Sequence, residues 1–213
     1  MPSYPNRIRT IDPLAPDPSV ILAAADIIRA GGVIVFPTRN LYGLGADAFN
    51  ADAVVRVFRI KRRPPDNPVS ILIRSRADVD GLVAHIPAAA RKLMDRFWPG
   101  RMTIVFAARP EVPPALTAGT GKIGIRVPQH PAAVALTAAL DRPITGTSAN
   151  LSGMPGVHRI SDLPEAIIKN VDLVLDAGDL KIGIGSTVVD VTIDPPQVLR
   201  EGEVCMQELT AIF

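Results

Sequence analysis

The sequence is poor in the side chains that build covalent cross-links and metal centres. Of its 213 residues only one is cysteine, Cys205, so neither an intramolecular disulfide nor a cysteine-rich zinc site can form. The three histidines, His85, His130 and His158, are scattered and show no ligand spacing. These absences argue against a structural metal and suit a reducing cytosol.

Aromatic residues and net charge are also scarce. Aromatics make up 4% of the chain, and 23 Lys and Arg against 21 Asp and Glu leave a formal charge of +2. So mild a balance does not by itself indicate a nucleic-acid-binding surface. Hydrophobic residues at 47% and charged residues at 21% are ordinary for a globular protein and exclude wholesale disorder.

Targeting and membrane signals are missing as well. The first residues, MPSYP, lack the basic and then apolar layout of a signal peptide. No apolar run approaches the ~20 residues that span a bilayer. We therefore expect a soluble cytoplasmic protein with no membrane partner.

Two common nucleotide-binding signatures are not found. The P-loop pattern G-x-x-x-x-G-K-[ST] does not occur, and Gly43-Leu44-Gly45 does not continue as a dinucleotide fingerprint. Any phosphate site must therefore be built differently.

The patterns that are present predict one α/β domain. Residues 1–17 are rich in proline and polar residues and predict an N-terminal arm, followed by a domain over 18–213. Helices are expected at 18–30, 50–60, 75–84, 87–98, 131–140 and 162–169. Strands are expected at 33–36, 69–73, 102–107, 123–127, 173–176, 186–191 and 197–200. This alternation predicts a twisted mixed sheet flanked by helices.

A basic loop follows the second predicted helix. Lys61, Arg62 and Arg63 precede two prolines, which restrict the backbone and keep the cations out of the helix. Such a loop can present fixed positive charge to a triphosphate. It can equally be a solvated helix end whose charges complement the helix dipole. The segment alone does not choose between these interpretations.

Three further segments can bind a ligand. Residues 145–153 (TGTSANLSG) follow a short strand starting at residues 143–144 and offer four hydroxyls, one amide and two glycines. Residues 183–187 (GIGST) lead into a strand, and residues 36–45 open a strand into a glycine-containing loop. The first two segments can also be ordinary polar turns. In the third segment, Tyr42 can also be a residue of the hydrophobic core.

Two arginines lie in or at the end of apolar strands. They are Arg126, within GIRVP, and Arg200, within VLR. A strand arginine usually points to solvent, whereas one aimed into a cleft binds a carboxylate or phosphate. Together with the basic loop, they favour an anionic ligand over a neutral one.

Taken in order, these motifs resemble one family, the YrdC-like threonylcarbamoyl-AMP synthases. The matching segments are PT…YGL at 37–44, K-x-RP…NP at 61–68, WPG…T at 98–103, RVP…HP at 126–131, SAN at 148–150, ST at 186–187 and LR-x-G at 199–202. The resemblance covers roughly residues 18–204. It implies a YrdC-like mixed sheet with a concave, positively charged cleft.

The resemblance also implies a reaction. L-Threonine, bicarbonate and ATP give threonylcarbamoyl-AMP and pyrophosphate, and this product serves the threonylcarbamoyl modification of an adenosine in tRNA. The basic residues suit this reaction. A carbamate anion must attack the α-phosphorus of ATP, which is itself a polyanion, and clustered cations with Mg²⁺ reduce the repulsion between the two. Mg²⁺ would be held mainly by the ATP phosphates rather than by protein ligands. Partners would be ATP, L-threonine and bicarbonate, with tRNA or tRNA-modification proteins beyond them.

The family pattern assigns roles to ten positions. Lys61 and Arg63 are the candidate catalytic residues, on the ATP phosphates. The expected ATP-binding residues are Lys61, Arg63, Asn67, Thr117, Ser148, Asn150 and Arg200, with Thr103 nearby. The expected threonine-binding residues are Thr38, Arg126 and Ser186, where Arg126 would pair with the carboxylate. No metal ligand is expected.

The chain departs from the family near the threonine site. Many relatives carry an acidic residue and a threonine where this chain has Arg39 and Asn40, and many place a histidine in the stretch that includes Leu72. These departures leave open a paralogue that makes a different carbamoyl-adenylate. A second alternative is a module whose basic cleft binds RNA, and the net charge of +2 and the 4% of aromatic residues count against it. Longer relatives add a C-terminal domain, and since this chain stops at Phe213 we expect the short single-domain form.

Overall fold

The computed structural model of the protein describes residues 7–210 and residue 212. Seven α-helices are found within these residues: α1 (Pro18–Arg29), α2 (Ala51–Lys61), α3 (Ala88–Phe97), α4 (Pro114–Thr117), α5 (Pro131–Leu140), α6 (Glu165–Ile168) and α7 (Met206–Thr210). Two 3-10 helices cover Arg76–Gly81 and Ile160–Asp162. None of the described helices has the length and apolar composition needed to cross a bilayer.

The strands form two mixed sheets rather than the single sheet expected. The first has the order β1 (Ile8–Thr10), β9 (Leu173–Asp176), β2 (Ile34–Pro37), β3 (Tyr42–Gly45), β8 (Thr147–Ser148). The second has the order β11 (Gln197–Arg200), β10 (Thr187–Asp190), β5 (Met102–Ala107), β6 (Lys122–Arg126), β4 (Ile71–Leu72), β7 (Ile144–Thr145). The predicted α/β class with mixed strands is confirmed.

Local signals explain the elements that agree with the sequence. The carboxylate of Asp17 accepts the N–H of Ser19 at 2.7 Å, which caps α1, and Gly31 ends it with φ 85°. The ring of His130 caps α5 in the same way, because its Nδ1 accepts the N–H of Ala132 at 3.2 Å. The sequence-based bounds of α5, β5, β9 and β11 match the structure.

Other elements differ from expectation. The helix expected at 75–84 is a 3-10 helix, and the helix expected at 162–169 is interrupted before Glu165 by Pro164. Strands β1 and β3 and helices α4 and α7 were not expected. Of the predicted N-terminal arm, residues 1–6 lie outside the described residues, and β1 pairs in parallel with β9 at the edge of the first sheet. The division into arm and domain stays a prediction.

A hairpin replaces the glycine-containing loop expected after β2. Strand β3 pairs antiparallel with β2 and is fully buried. A Cβ on Gly45 would lie 2.8 Å from the ring of Phe36, so glycine lets the two strands pack closely. The turn between the strands spans residues 38–41 and is half-buried.

The two sheets meet where the chain passes from β7 to β8. Gly146 lies between these short strands, and its N–H donates to the carbonyl of Ser70 at 2.7 Å. The hydroxyl of Thr145 accepts the N–H of Ala46 at 3.0 Å and donates to the carbonyl of Leu44 at 3.1 Å. These contacts fix the start of the SAN segment against both sheets.

Candidate active site

A cleft of about 500 Å³ opens where the β2–β3 turn, the end of α2, the SAN segment and the start of β10 converge. Its size is typical of small-molecule sites. Nine of the ten predicted site residues line it: Thr38, Lys61, Arg63, Asn67, Arg126, Ser148, Asn150, Ser186 and Arg200. Segments that are far apart in sequence are thus brought to one site.

Thr117 is the predicted residue that the structure does not bring to this cleft. It ends α4 and is buried, and its hydroxyl donates to the carbonyl of Pro114 at 3.2 Å. Thr103 lies behind the cleft wall, where its hydroxyl contacts that of Ser186 at 2.8 Å. The assignment of Thr117 to the nucleotide stays a prediction.

Lys61, at the end of α2, is the most enclosed cation of the cleft. The residue is 2% exposed, and Nζ donates to the carbonyl of Asn150 at 2.8 Å and to its side-chain oxygen at 3.4 Å. Nζ also donates to the carbonyl of Ser148. All three ammonium hydrogens therefore have acceptors within the SAN segment, and Lys61 fixes that segment in place.

The same burial changes the protonation of Lys61. Removal from water, and secondarily the charge of Arg63, lower the pKa of Lys61 to about 7. Its charge is therefore sensitive to any anion that enters the cleft.

The SAN segment is further stabilised by its own side chains. Ser148 Oγ donates to Oδ1 of Asn150, whose amide nitrogen donates to the carbonyls of Leu151 at 2.9 Å and Met154 at 2.6 Å. The N–H of Ser152 donates to the carbonyl of Lys61 at 2.8 Å. Segment and helix end thus form one hydrogen-bonded unit.

Arg63 organises the basic loop. Its Nε donates to the carbonyl of Asn67 at 2.9 Å, and Nη2 donates to Asn67 Oδ1 at 2.7 Å and to the carbonyl of Pro68 at 2.6 Å. Burial, and then the charge of Arg200, lower the pKa of Arg63. The loop is therefore closed onto Arg63, which is half-buried and lines the cleft, while Arg62 and residues 64–67 are exposed.

Arg200, at the end of β11, lies across the cleft. Its Nη2 donates to the carbonyl of Ser186 at 2.7 Å, and burial lowers its pKa. Gly185 runs beside it, since a Cβ there would lie 3.3 Å from Arg200 Nη2. Residues 183–187 therefore line one side of the cleft and bind the Arg200 side chain, and they are not a turn free of other contacts.

Arg126, the last residue of β6, lies at the cleft floor. Its Nε is buried and, within residues 7–210 and 212, has no hydrogen-bond partner. Burial lowers the pKa of Arg126 to about 10, against the smaller opposing effect of the Glu203 carboxylate. A buried guanidinium nitrogen without a partner is costly unless a ligand supplies the acceptor.

Apolar contact shapes the floor beside Arg126. Leu72 on β4 is in register with Arg126 on the neighbouring strand, and it lines the cleft. A Cβ on Gly146 would lie 2.9 Å from the Leu72 side chain, so this leucine fills the space up to the backbone. The amino-acid end of the predicted site therefore has one apolar wall.

Two cleft residues were not selected from the sequence. Ser152 Oγ is buried and has no hydrogen-bond partner among the described residues, and Glu203 places a carboxylate in the cleft. Ser152 lies within residues 145–153, which the sequence marks as a possible ligand-binding segment, so its hydroxyl could have been chosen as a site residue. Nothing in the sequence around Glu203 singled it out, because its location depends on the packing of β10 and β11.

Metal-ligating side chains are dispersed. Within residues 7–210 and 212 no group of three or more His, Cys, Asp or Glu side chains is arranged to hold a metal ion. The carboxylates that line the cleft are those of Glu201 and Glu203. An ion bound there would need most of its ligands from the substrate or water.

Comparison with known proteins agrees with this architecture. The family model for Sua5, YciO and YrdC proteins, described as "Telomere recombination", matches residues 26–202. A threonylcarbamoyl-AMP synthase of Pyrococcus abyssi is 38% identical over 193 residues, which are 91% of this chain and 57% of that protein. The chain thus spans little more than half the length of this relative.

Two solved structures have the same fold. The crystal structure of P. abyssi Sua5 in complex with L-threonine has a TM-score of 0.91 and 36% identity, covering 96% of this chain and 60% of that one. The crystal structure of Escherichia coli YciO has a TM-score of 0.87 and 31% identity, covering 95% of this chain and 98% of that one. The described cleft therefore lies in a fold already known from both a long and a short protein.

Proposed function

The chain belongs to the Sua5/YciO/YrdC family, and on that premise we propose that it forms threonylcarbamoyl-AMP and pyrophosphate from L-threonine, bicarbonate and ATP. The enzyme would be a nucleotidyltransferase. A carbamate oxygen would attack the α-phosphorus of ATP, and the bond from that phosphorus to the pyrophosphate oxygen would break.

The observation that carries this proposal is the buried, unpartnered Nε of Arg126 in a cleft that also holds Arg63 and Arg200. A carboxylate on Arg126 and phosphates on the other two arginines would give each anion its own cation. The reaction needs this arrangement, because two anions must meet at one phosphorus atom. Positioning and charge neutralisation supply most of the help in phosphoryl and nucleotidyl transfer.

The nucleotide end would lie between the basic loop and the SAN segment. Arg63 is preorganised by Asn67 and Pro68, and Arg200 by Ser186, so both guanidinium groups face the cleft without further rearrangement. Lys61 would act on ATP largely by holding Ser148 and Asn150 and through its charge.

The amino-acid end would lie at the floor. Arg126 would bind the threonine carboxylate, and the hydroxyls of Thr38 and Ser186 would orient the rest of the molecule. The L-threonine complex of the P. abyssi protein supports the choice of amino acid. Leu72 would contact the threonine methyl group.

Magnesium would enter with the triphosphate, bound mainly by phosphate oxygens and water. The dispersed carboxylates support this, since the described residues offer no group of three ligating side chains. The ion would neutralise charge on the departing pyrophosphate.

The product would serve tRNA modification. Threonylcarbamoyl-AMP is a mixed anhydride, and a second reaction must transfer its threonylcarbamoyl group to the adenosine of a tRNA. We place the protein in the cytoplasm with that pathway, which suits the single free cysteine, Cys205.

One assay tests the proposal. The purified chain is incubated with ATP, Mg²⁺ and bicarbonate together with single amino acids, and pyrophosphate release is followed. We expect release that needs both threonine and bicarbonate, and its loss in Arg126→Gln with little change in ATP affinity.

Other results would point elsewhere. Turnover with a different amino acid would favour a paralogue that makes another carbamoyl-adenylate. Salt-sensitive RNA binding with no turnover of any amino acid would favour a binding module.

A further inference from the structure

A carboxylate lies in a cleft whose other charged groups are mainly cations. The side chain of Glu203 is 10% exposed and lines the cleft, close to the floor where Arg126 lies. A buried carboxylate costs free energy unless it is paired, so its position here calls for a reason. The neighbouring acid, Glu201, is exposed, and one of its oxygens accepts the N–H of Met206 at 3.2 Å.

The backbone fixes Glu203 at this place. A Cβ on Gly202 would lie 2.3 Å from the carbonyl oxygen of Gly185, so the segment crosses the start of β10 with no room for a side chain. The N–H of Glu203 donates to the same carbonyl at 3.1 Å, and Arg101 donates to the carbonyl of Glu203 at 2.8 Å. Glu203 is therefore held beside Ser186, which the proposed function assigns to the amino acid.

One cation already pairs with this carboxylate. Nε of Arg39, in the β2–β3 turn, lies 2.7 Å from Oε2 of Glu203, and Nη1 of Arg39 donates to Oε1 of Gln129 at 2.5 Å. This pair stabilises the charge of Glu203 through one oxygen. Oε1 is the second acceptor of the same carboxylate.

The charges at the floor suit a zwitterion. An α-amino acid carries a carboxylate and an ammonium group on one carbon atom, and it needs a cation and an anion at short separation. Arg126 supplies the cation with its unpartnered Nε, and Glu203 is a nearly buried anion of the same cleft whose charge acts on Arg126. A simple carboxylic acid would use the first group alone.

We propose that Glu203 is a substrate-binding residue that accepts a hydrogen bond from the α-ammonium group of the amino acid. This inference rests on the proposed function and deepens it. Arg126 and Glu203 together make the floor selective for amino acids over amine-free acids, and Arg39 contacts only the other oxygen of the same carboxylate.

A rival explanation is that Glu203 only anchors Arg39 and, through it, the β2–β3 turn. The two explanations differ in which ligands are affected. If Glu203 is only an anchor, its loss weakens the binding of every ligand at the cleft floor. If it accepts a hydrogen bond from the ammonium group, its loss weakens the binding only of ligands that carry that group.

The test compares L-threonine with 3-hydroxybutyrate, which is threonine without its amine. Binding of each is measured by titration calorimetry, with competition where affinity is low, for the unaltered protein and for Glu203→Gln, Arg39→Gln and Glu111→Gln. We expect Glu203→Gln to weaken threonine binding at least about ten-fold, as for loss of a charged hydrogen bond, and 3-hydroxybutyrate binding less than about two-fold. Arg39→Gln should keep the preference for threonine. Glu111 is an exposed acid that does not line the cleft, so Glu111→Gln is the matched control that should change the binding of neither ligand.

Each remaining outcome counts against the inference. Equal weakening of both ligands by Glu203→Gln would identify the ion pair as an anchor only. Unchanged threonine binding in Glu203→Gln would exclude the ammonium contact while leaving the proposed function intact. If the unaltered protein bound no threonine at all, the proposed function would fail first, and this inference with it.

Discussion

Nζ of Lys61 lies 2.8 Å from the carbonyl oxygen of Asn150, so the end of α2 and the SAN segment are joined by a buried cation. Within the part of the chain that the structure describes, the ammonium group donates to backbone and amide oxygens and to no carboxylate, so no anion there neutralises its positive charge. A cation held in this way attracts an anionic ligand and also shapes the loop that would bind it.

The depressed pKa of Lys61 predicts a pH dependence of ATP binding. In the free protein this pKa is about 7, chiefly because of burial. A bound triphosphate favours the protonated form and raises the pKa, so binding takes up a proton when Lys61 is neutral beforehand. ATP affinity should therefore fall as the pH rises from about 7 to about 9.

Titration calorimetry in two buffers of different ionisation enthalpy measures that proton uptake directly. Lys61→Met, which keeps the apolar stem, should bind ATP more weakly and without the pH dependence. The same slope in the variant would assign the titration to another group.

Arg63 and its neighbour offer a matched pair of substitutions. Arg63 donates to Asn67 and Pro68 through a guanidinium fork that lysine cannot reproduce, whereas Arg62 is exposed. Arg63→Lys should raise the Kd for ATP about ten-fold, and Arg62→Lys should leave it unchanged. Threonine binding should be the same in both variants, and an equal effect of the two would mean that only the net charge of the loop matters.

Tyr42 is predicted to stabilise the fold rather than to bind a ligand. The side chain is fully buried, and its hydroxyl donates to the carbonyl of Gly178 at 2.6 Å and accepts the N–H of Ala177 at 3.0 Å. Tyr42→Phe should lower the free energy of unfolding in urea by about 1–3 kcal/mol, because the Ala177 N–H loses its acceptor. Faster hydrogen exchange of that amide would locate the effect, and unchanged stability would contradict it.

Gly202 is predicted to tolerate no side chain. A Cβ there would lie within 2.6 Å of backbone atoms of Gly185, Ser186 and Thr187, none of which is a flexible group. Gly202→Ala should cost about 1–3 kcal/mol of unfolding free energy and weaken threonine binding, because the substitution displaces Glu203 and Ser186.

The control for this substitution is Gly81→Ala. A Cβ on Gly81 would meet nothing within 4 Å, so unfolding and binding should stay as in the unaltered protein. Equal stability of the two alanine variants in thermal unfolding would show that the β10–β11 contact yields more easily than its geometry indicates.

Part of the candidate site could be predicted from the sequence motifs alone. Ordered motifs marked Lys61, Arg63, Arg126 and Arg200, and the structure brings all four to one cleft. The motifs did not indicate which residues each of these cations would bond to. Lys61 bonds to Ser148 and Asn150 across 87 and 89 positions of sequence, and such pairs depend on how β8 packs against α2.

Elements with their own start and stop signals were determined by the sequence itself. The Asp17 cap and Gly31 delimit α1, and proline at the first position begins α5, because these interactions form within a few residues. Strand β3 carries two glycines and strand β8 spans two residues, so only their distant partners make them strands. The tertiary structure alone decided those pairings, and with them the placement of Glu203 and Arg126 in one cleft, because contacts between remote segments form only when the whole chain has packed.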